Sequence, residues 1–284
     1  RLNFGYLESE NRLLEPRISS EEKLAAVDWK TAITQAALQL RQFSGGEIAI
    51  VASGRMTNEE LWLTRQIARS LGVRYIDIVP RTSPGDDILL SEDRNPNANG
   101  ARLILQLDSE PGAKLSAIAE AVQSGQVKAL IALGENPTKF GISVEQLSNL
   151  PAFIAMDILS NAATEYATVL LPSSGFAEKR GSMINGKGRL QRLNRAVRPP
   201  GTSRDDWQIL RDLLQGLGGS NGIYSIEDVF REMSDAVPEF AGLSLSKIGD
   251  LGVQIMQANE SPAPPVDSAA ENIEKAESER PPGR

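Results

Sequence analysis

Between Thr164 and Arg189 the chain reads TEYATVLLPSSGFAEKRGSMINGKGR, and here residue types suited to holding a ligand crowd together. An apolar run ends in Leu170, Leu171 and Pro172. A Glu-x-x-Gly-Ser turn follows (Glu178, Gly181, Ser182), and then Asn185-Gly186-Lys187-Gly188-Arg189. A buried strand that halts at a proline and enters a polar loop with glycines at 175, 181, 186 and 188 can bring its backbone close to a ligand or a neighbouring segment. An ordinary surface connection has the same glycine content. The loop also carries Lys179, Arg180, Lys187, Arg189, Arg192, Arg195 and Arg198 in a chain of net charge −7, so it suits phosphate, an acidic protein surface or water. Two further loops carry polar groups directly after apolar runs: Ser53-Gly54-Arg55, and Gly134-Glu135-Asn136-Pro137. Asp157 ends a third run, with Ser160, Asn161 and Thr164 behind it.

What is missing bounds the chemistry. Among 284 residues there is no Cys and no His. Iron–sulfur clusters need thiolates and structural zinc usually needs Cys or His, so these residues supply neither centre. No nucleophile–base pairing is visible, and we assign no catalytic residue and no metal ligand. No apolar run approaches the ~20 residues of a membrane-spanning helix, which argues against direct membrane insertion. The acidic balance argues against a nucleic-acid surface, which needs a clustered basic face.

The elements that must position these loops alternate. Asp28 caps a helix to about Phe43 whose apolar stripe is Ala32, Ile33, Ala36, Ala37 and Leu40. Residues 47–52 read as a short buried strand. Thr57 and Glu60 form a capping box for a helix to Leu71, stopped by Gly72. Strands are predicted at Arg74–Val79, Ala101–Leu107, Val127–Leu133 and Phe153–Met156, and helices at Lys114–Gln123 and Ser143–Leu150. Ser203 is read as the cap of a helix from Arg204 to Leu217, and Ser225 opens another to about Ala236. Such alternation predicts an α/β fold, a mostly parallel sheet with helices on both faces. Four segments follow: a strip over 1–16, the α/β domain over 17–218, a helical extension over 219–258, and a Pro-, Glu- and Ala-rich tail over 259–284 that cannot repay its ordering entropy.

The order Thr-Glu-x-Ala-x-x-x-Leu-Pro, Glu-x-x-Gly-Ser, Asn-Gly-x-Gly-Arg-x-Gln resembles the molybdopterin oxidoreductase superfamily. That superfamily holds formate dehydrogenases and the large iron–sulfur subunit of respiratory NADH dehydrogenase (complex I). Arg12-Leu13-Leu14-Glu15-Pro16, Asp28-Trp29, the run from Ser53 to Glu60, and Gly134-Glu135-Asn136-Pro137 are similar to its motifs in the same order, over roughly residues 1–218. The resemblance implies a formate dehydrogenase/DMSO reductase-like, Rossmann-like domain. Its loops face a molybdopterin guanine dinucleotide and place nucleotide contacts at Gly134, Asn136, Asp157, Thr164 and Asn185. Phosphate suits a helix start and a guanine edge suits a carboxylate, but Asn136 and Asp157 equally suit capping of turns and helices.

The departures choose the branch. Where the molybdenum enzymes carry a Cys-containing run, this chain has Ile76-Asp77-Ile78-Val79-Pro80-Arg81-Thr82-Ser83, and it passes almost directly to Asn95-Pro96-Asn97, as though a middle portion were gone. It begins at Arg1, where the resemblance places the end of a cluster-binding segment. The reading is a cofactor-degenerate structural domain of the large iron–sulfur subunit of an NADH:quinone oxidoreductase, with iron–sulfur clusters held elsewhere and no cofactor in these residues. Implied partners are its own upstream iron–sulfur domain and other peripheral-arm subunits of a respiratory complex, cytoplasmic and peripheral to the inner membrane. The alternatives are the dinucleotide-binding part of a formate dehydrogenase-like enzyme and a stand-alone nucleotide-binding module. With a metal ligand and a middle portion gone, the basic loop is read as self-packed or docked on the upstream domain.

Overall fold

The computed structural model describes residues 4–257 apart from 21, 22, 87, 89, 220 and 221. The tail over 259–284 and the first three residues lie outside the described residues. A seven-stranded sheet organises the chain, in the order β2-β1-β7-β6-β5-β3-β4. Five strands are parallel: β3 (Ile48–Ser53), β4 (Tyr75–Val79), β5 (Ala129–Leu133), β6 (Ala152–Asp157) and β7 (Val169–Pro172). β1 (Arg17–Ser20) and β2 (Lys23–Ala26) add an antiparallel edge against β7. The fold is α/β with a mostly parallel sheet, as the alternation predicts.

Period-two alternation divides the core between the two faces. Ile48, Ile50 and Ala52 of β3 join one apolar cluster, with helices α1 (Trp29–Leu40), α2 (Asn58–Leu71), α3 (Ala98–Leu105), α6 (Asp206–Gly216) and α7 (Ile226–Ala236). Ala49 and Val51 join the other, with α4 (Leu115–Gln123) and α5 (Val144–Ser148). From β3 the chain goes through α2 to β4, and from β4 it crosses back over β3 through α3 and α4 to β5. Right-handed crossovers in opposite directions put α2 and α4 on opposite faces. The reversal leaves a crevice at the carboxyl ends of β3 and β5.

Local signals act where the sequence places them. Asp28 accepts from the Thr31 amide at 2.8 Å, and Thr57 and Glu60 cap reciprocally at 3.3 and 2.8 Å. Between α1 and β3 the chain passes so close to the end of α2 that a Cβ on Gly45 would lie 2.0 Å from the Gly72 carbonyl oxygen. Gly45→Ala is expected to cost about 1–3 kcal/mol in urea unfolding, because the clash is with backbone.

Three readings need correction. Most of the run Ala101–Leu107, read as a strand, is the second half of α3, which ends at Leu105, with Ala98, Ala101, Ile104 and Leu105 buried at helical spacing. Asn97 fixes its start by donating to the Met56 carbonyl at 2.8 Å and to Asn58 Oδ1 at 3.0 Å. Burial of one face against α2, together with the helix propensity of Leu103 and Leu105, decides for the helix. Ser203 does not cap α6. Its hydroxyl donates to the Leu13 carbonyl at 2.9 Å, and Asp205 holds the N-cap position.

The third correction concerns the basic segment. Residues 181–193 form an antiparallel hairpin, β8 (Gly181–Ile184) and β9 (Arg189–Leu193), extended by β10 (Val253–Gln254). Ile184 and Leu190 are buried against the helices. Among the described residues no helix is long and apolar enough to cross a membrane.

Candidate functional site

The crevice at the carboxyl ends of the parallel strands gathers four charged side chains, one from the loop after each of four strands. Arg55 follows β3, Arg81 follows β4, Glu135 follows β5, and Asp157 ends β6. Arg55 spans the switch point: its guanidinium donates to the Gly134 carbonyl, and its backbone N–H to Ser53 Oγ at 3.2 Å. Arg81 reaches the same loop, donating to Glu135 Oε2 at 2.6 Å and to Asn95 Oδ1 at 3.2 Å. The Glu135 side chain is only 4% exposed, and among the described residues its Oε1 has no hydrogen-bond partner. Desolvation pushes the Asp157 carboxyl above the usual range, against the Ile158 amide and the Arg55 charge, which lower it.

The sequence-derived ligand residues divide between two places. Gly134 stands at φ +67° in the left-handed region, where its amide donates to the Met156 carbonyl at 2.7 Å. Asn136 Oδ1 accepts from the Thr138 amide at 3.0 Å and from its hydroxyl at 2.8 Å. Asp157 accepts from the Ile158 amide at 2.7 Å and from Asn161 Nδ2 at 2.9 Å. Thr164 Oγ1 accepts from the Asn161 amide at 2.9 Å and donates to its carbonyl at 2.8 Å. These four lie at or just beyond the ends of β5 and β6. Asn185 does not join them. It closes the β8–β9 turn, accepting from the Lys187 and Arg189 amides at 2.9 and 3.0 Å, and its carbonyl accepts from Asn99 of α3 at 2.8 Å. Arg55 and Glu135 lie inside the motif strings, yet motif spacing does not mark them or Arg81 as site residues. The signal that finds all three is a charged side chain within two residues of a strand's carboxyl end.

A dinucleotide needs unengaged donors for its phosphates and an unengaged acceptor for its base. The helix start after β3, where phosphate is favoured in such folds, is filled by carboxylates of this chain. Glu59 accepts from the Ser182 amide and hydroxyl, each at 2.8 Å, and Glu60 accepts from the Thr57 amide and from Lys179 Nζ at 2.9 Å. The unpaired oxygen of Glu135 repels a phosphate, and both Asp157 oxygens already accept hydrogen bonds. The donor set does not fit the dinucleotide that the resemblance implies. Among the described residues no three His, Cys, Asp or Glu side chains group to hold a metal ion.

Residues 81–94 leave and rejoin the fold at one point. Thr82 and Asp93 bridge antiparallel, and the Arg94 amide donates to the Arg81 carbonyl at 2.8 Å. The sheet therefore closes without any further segment here.

Residues 89–215, which supply β5 to β9 and α3 to α6, match the molybdopterin oxidoreductase family, a match over less than half of the chain. The F420-dependent formate dehydrogenase 2 subunit alpha of Methanococcus maripaludis is 32% identical over 148 residues, covering 50% of this chain and 22% of the relative. The NADPH-Fe(3+) oxidoreductase subunit alpha of Geobacter sulfurreducens is 36% identical over 142 residues, covering 49% and 17%. The assimilatory nitrate reductase catalytic subunit of Bacillus subtilis is 33% identical over 142 residues, covering 45% and 20%. This chain thus spans about a fifth of the length of these curated relatives, at 22%, 17% and 20%. The acetylene hydratase from Pelobacter acetylenicus superposes with a TM-score of 0.60 at 8% identity, over 85% of this chain and 66% of that one, and shares the fold.

Proposed function

We propose that this chain is a non-catalytic, cofactor-degenerate α/β domain of a larger oxidoreductase of the molybdopterin family, with the redox centres in segments outside it. The observation that carries the reading is the self-closed crevice. Arg55 and Arg81 each direct a guanidinium N–H, to Gly134 and Glu135 respectively, and Asn136 Oδ1, both Asp157 oxygens and Thr164 Oγ1 are engaged by neighbouring backbone and side chains. The finer assignment, to the large iron–sulfur subunit of an NADH:quinone oxidoreductase within a respiratory complex, rests on the motif set together with that closure. Its partners are then the iron–sulfur part of the same polypeptide and neighbouring subunits.

The relatives favour a second reading, the dinucleotide-facing domain of a formate dehydrogenase-like enzyme, since they are formate dehydrogenase, nitrate reductase and NADPH-Fe(3+) oxidoreductase subunits. Molybdenum, tungsten and pterin analysis of the complete polypeptide separates the two. The first reading predicts iron and sulfide but no stoichiometric molybdenum, tungsten or pterin. One pterin-bound metal per polypeptide would establish the second reading instead.

A further inference from the structure

The basic hairpin holds two arginines that neither its own packing nor the crevice explains. Lys179 is buried between Glu60 and Asp206, and Arg195 is bound by both oxygens of Asp205 at 2.6 Å. Arg180 and Arg192 instead turn toward α7 and the segment after it. There they meet Arg231 around a concave cavity of about 430 Å³, within the size range of small-molecule sites. The three guanidinium groups come from three separate stretches: the residue before β8, strand β9 and helix α7.

The cavity has two kinds of wall. Its floor is apolar, made by Phe230, Leu243 and Leu245. Its polar side carries the hydroxyls of Ser244 and Ser246, 3.0 Å apart, and one carboxylate, Glu227, against the three arginines. The acids that hold these arginines are weak competitors. Arg231 pairs with Asp228 at 2.7 Å with its own side chain 65% exposed, and Arg192 pairs with Asp250 at 3.1 Å, a carboxylate 93% exposed. Exposed pairs of this kind contribute little and can be exchanged for a better anion. The Arg180–Glu227 pair at 2.8 Å is half-exposed on both sides. Among the described residues Arg192 Nε is buried without a hydrogen-bond partner, so the Asp250 contact leaves this side chain incompletely satisfied.

We infer that this cavity is a binding site for a small phosphate monoester: the phosphate held by Arg180, Arg192 and Arg231, with the seryl hydroxyls as further donors, and an apolar or aromatic body laid on Phe230. Several convergent guanidinium groups with hydroxyl donors match the three equivalent oxygens of a phosphate better than the two of a carboxylate. The site is independent of the strand-end crevice, so it stands whichever reading of the parent protein holds.

Phenyl phosphate titrated calorimetrically into the full chain at low ionic strength tests this, with inorganic phosphate, benzoate and benzyl alcohol as comparisons. Phenyl phosphate is expected to saturate one site with a dissociation constant below about 1 mM, roughly tenfold tighter than inorganic phosphate because the ring is buried. Benzoate binds more weakly and benzyl alcohol does not bind. Arg192→Gln is expected to weaken phenyl phosphate by about tenfold or more, and so is Arg231→Gln, whose exposed position leaves the fold intact. Absence of saturation, equal binding of benzoate, or binding untouched by Arg231→Gln in a folded protein each overturns the assignment.

Discussion

Lys179→Met is expected to lower the unfolding free energy by about 3–5 kcal/mol, because it strands two carboxylates in the core. Lys179 Nζ lies 2.9 Å from Glu60 and 3.0 Å from Asp206, with side-chain exposures of 6%, 0% and 7%. Burial pulls the ammonium pKa down, but the two carboxylates outweigh it and hold it above the ordinary lysine value. The triad joins the segment before β8 to the first turns of α2 and α6, and Asp206 also accepts from the Ser174 amide at 3.0 Å. Methionine keeps the volume and removes the charge. Urea unfolding followed by tryptophan fluorescence measures the loss. Lys187→Met, at an exposed turn position, serves as the control and is expected to stay within about 0.5 kcal/mol of the parent. Converting Glu60 to Gln and Asp206 to Asn in the Lys179→Met background is expected to recover part of the stability. A loss below about 1 kcal/mol for Lys179→Met would contradict a charged buried triad.

Stability is expected to fall as pH rises from about 5 to 8, the reverse of ordinary acid denaturation. Burial pushes the Glu59 carboxyl up to about 7, with the Ser182 hydrogen bonds opposing it. Unfolded, it titrates near ~4.3. Between that value and about 7 the folded chain retains a proton that the unfolded chain has released, so the unfolded state gains as pH rises. Below the window both states are protonated and the penalty vanishes; above it the penalty is complete. The depressed carboxyls, Glu47 held down by Lys128 and Ser44, and Asp228 by Ser225 and the Tyr224 amide, each sit at about 2. They lose their contribution only below about pH 4 and leave this window alone. Glu59→Gln keeps an acceptor for the Ser182 amide and removes the titration. It is expected to match the parent near pH 5 and exceed it by about 2–3 kcal/mol at pH 8. An unchanged pH slope in Glu59→Gln would show that Glu59 does not titrate in this range.

The parts of the fold set by neighbours in sequence were legible. The Thr57–Glu60 capping box, the Asp28 cap, the Gly72 stop and the buried runs of β3, β5 and β6 are all determined within a few residues. The parts set by distant partners were not. Lys179 was one of seven basic residues in a loop read as self-packed or docked, and nothing nearby marks it as buried, because its carboxylate partner Glu60 lies 119 residues away. Residues 101–107 looked like a strand, because what makes most of them helical is the face of α2 and the buried Asn58–Asn97 contact. β1 and β2 are four-residue strands, β2 at the sheet edge and β1 between it and β7, with no apolar alternation to mark them. For the site, Gly134 and Asn136 follow β5 and Asp157 ends β6, with Thr164 joined to Asp157 through Asn161. Whether their polar atoms are open or spent depends on side-chain geometry that motif spacing does not encode.

The measurement closest to the central claim is calorimetric titration of guanosine diphosphate, the nucleotide portion of the family's cofactor, into the full chain. A crevice closed by Arg55 on Gly134 and Arg81 on Glu135 predicts no saturable binding that depends on Asp157 up to about 1 mM. One-to-one micromolar binding abolished by Asp157→Ala would contradict it and show that the strand-end loops still hold a nucleotide.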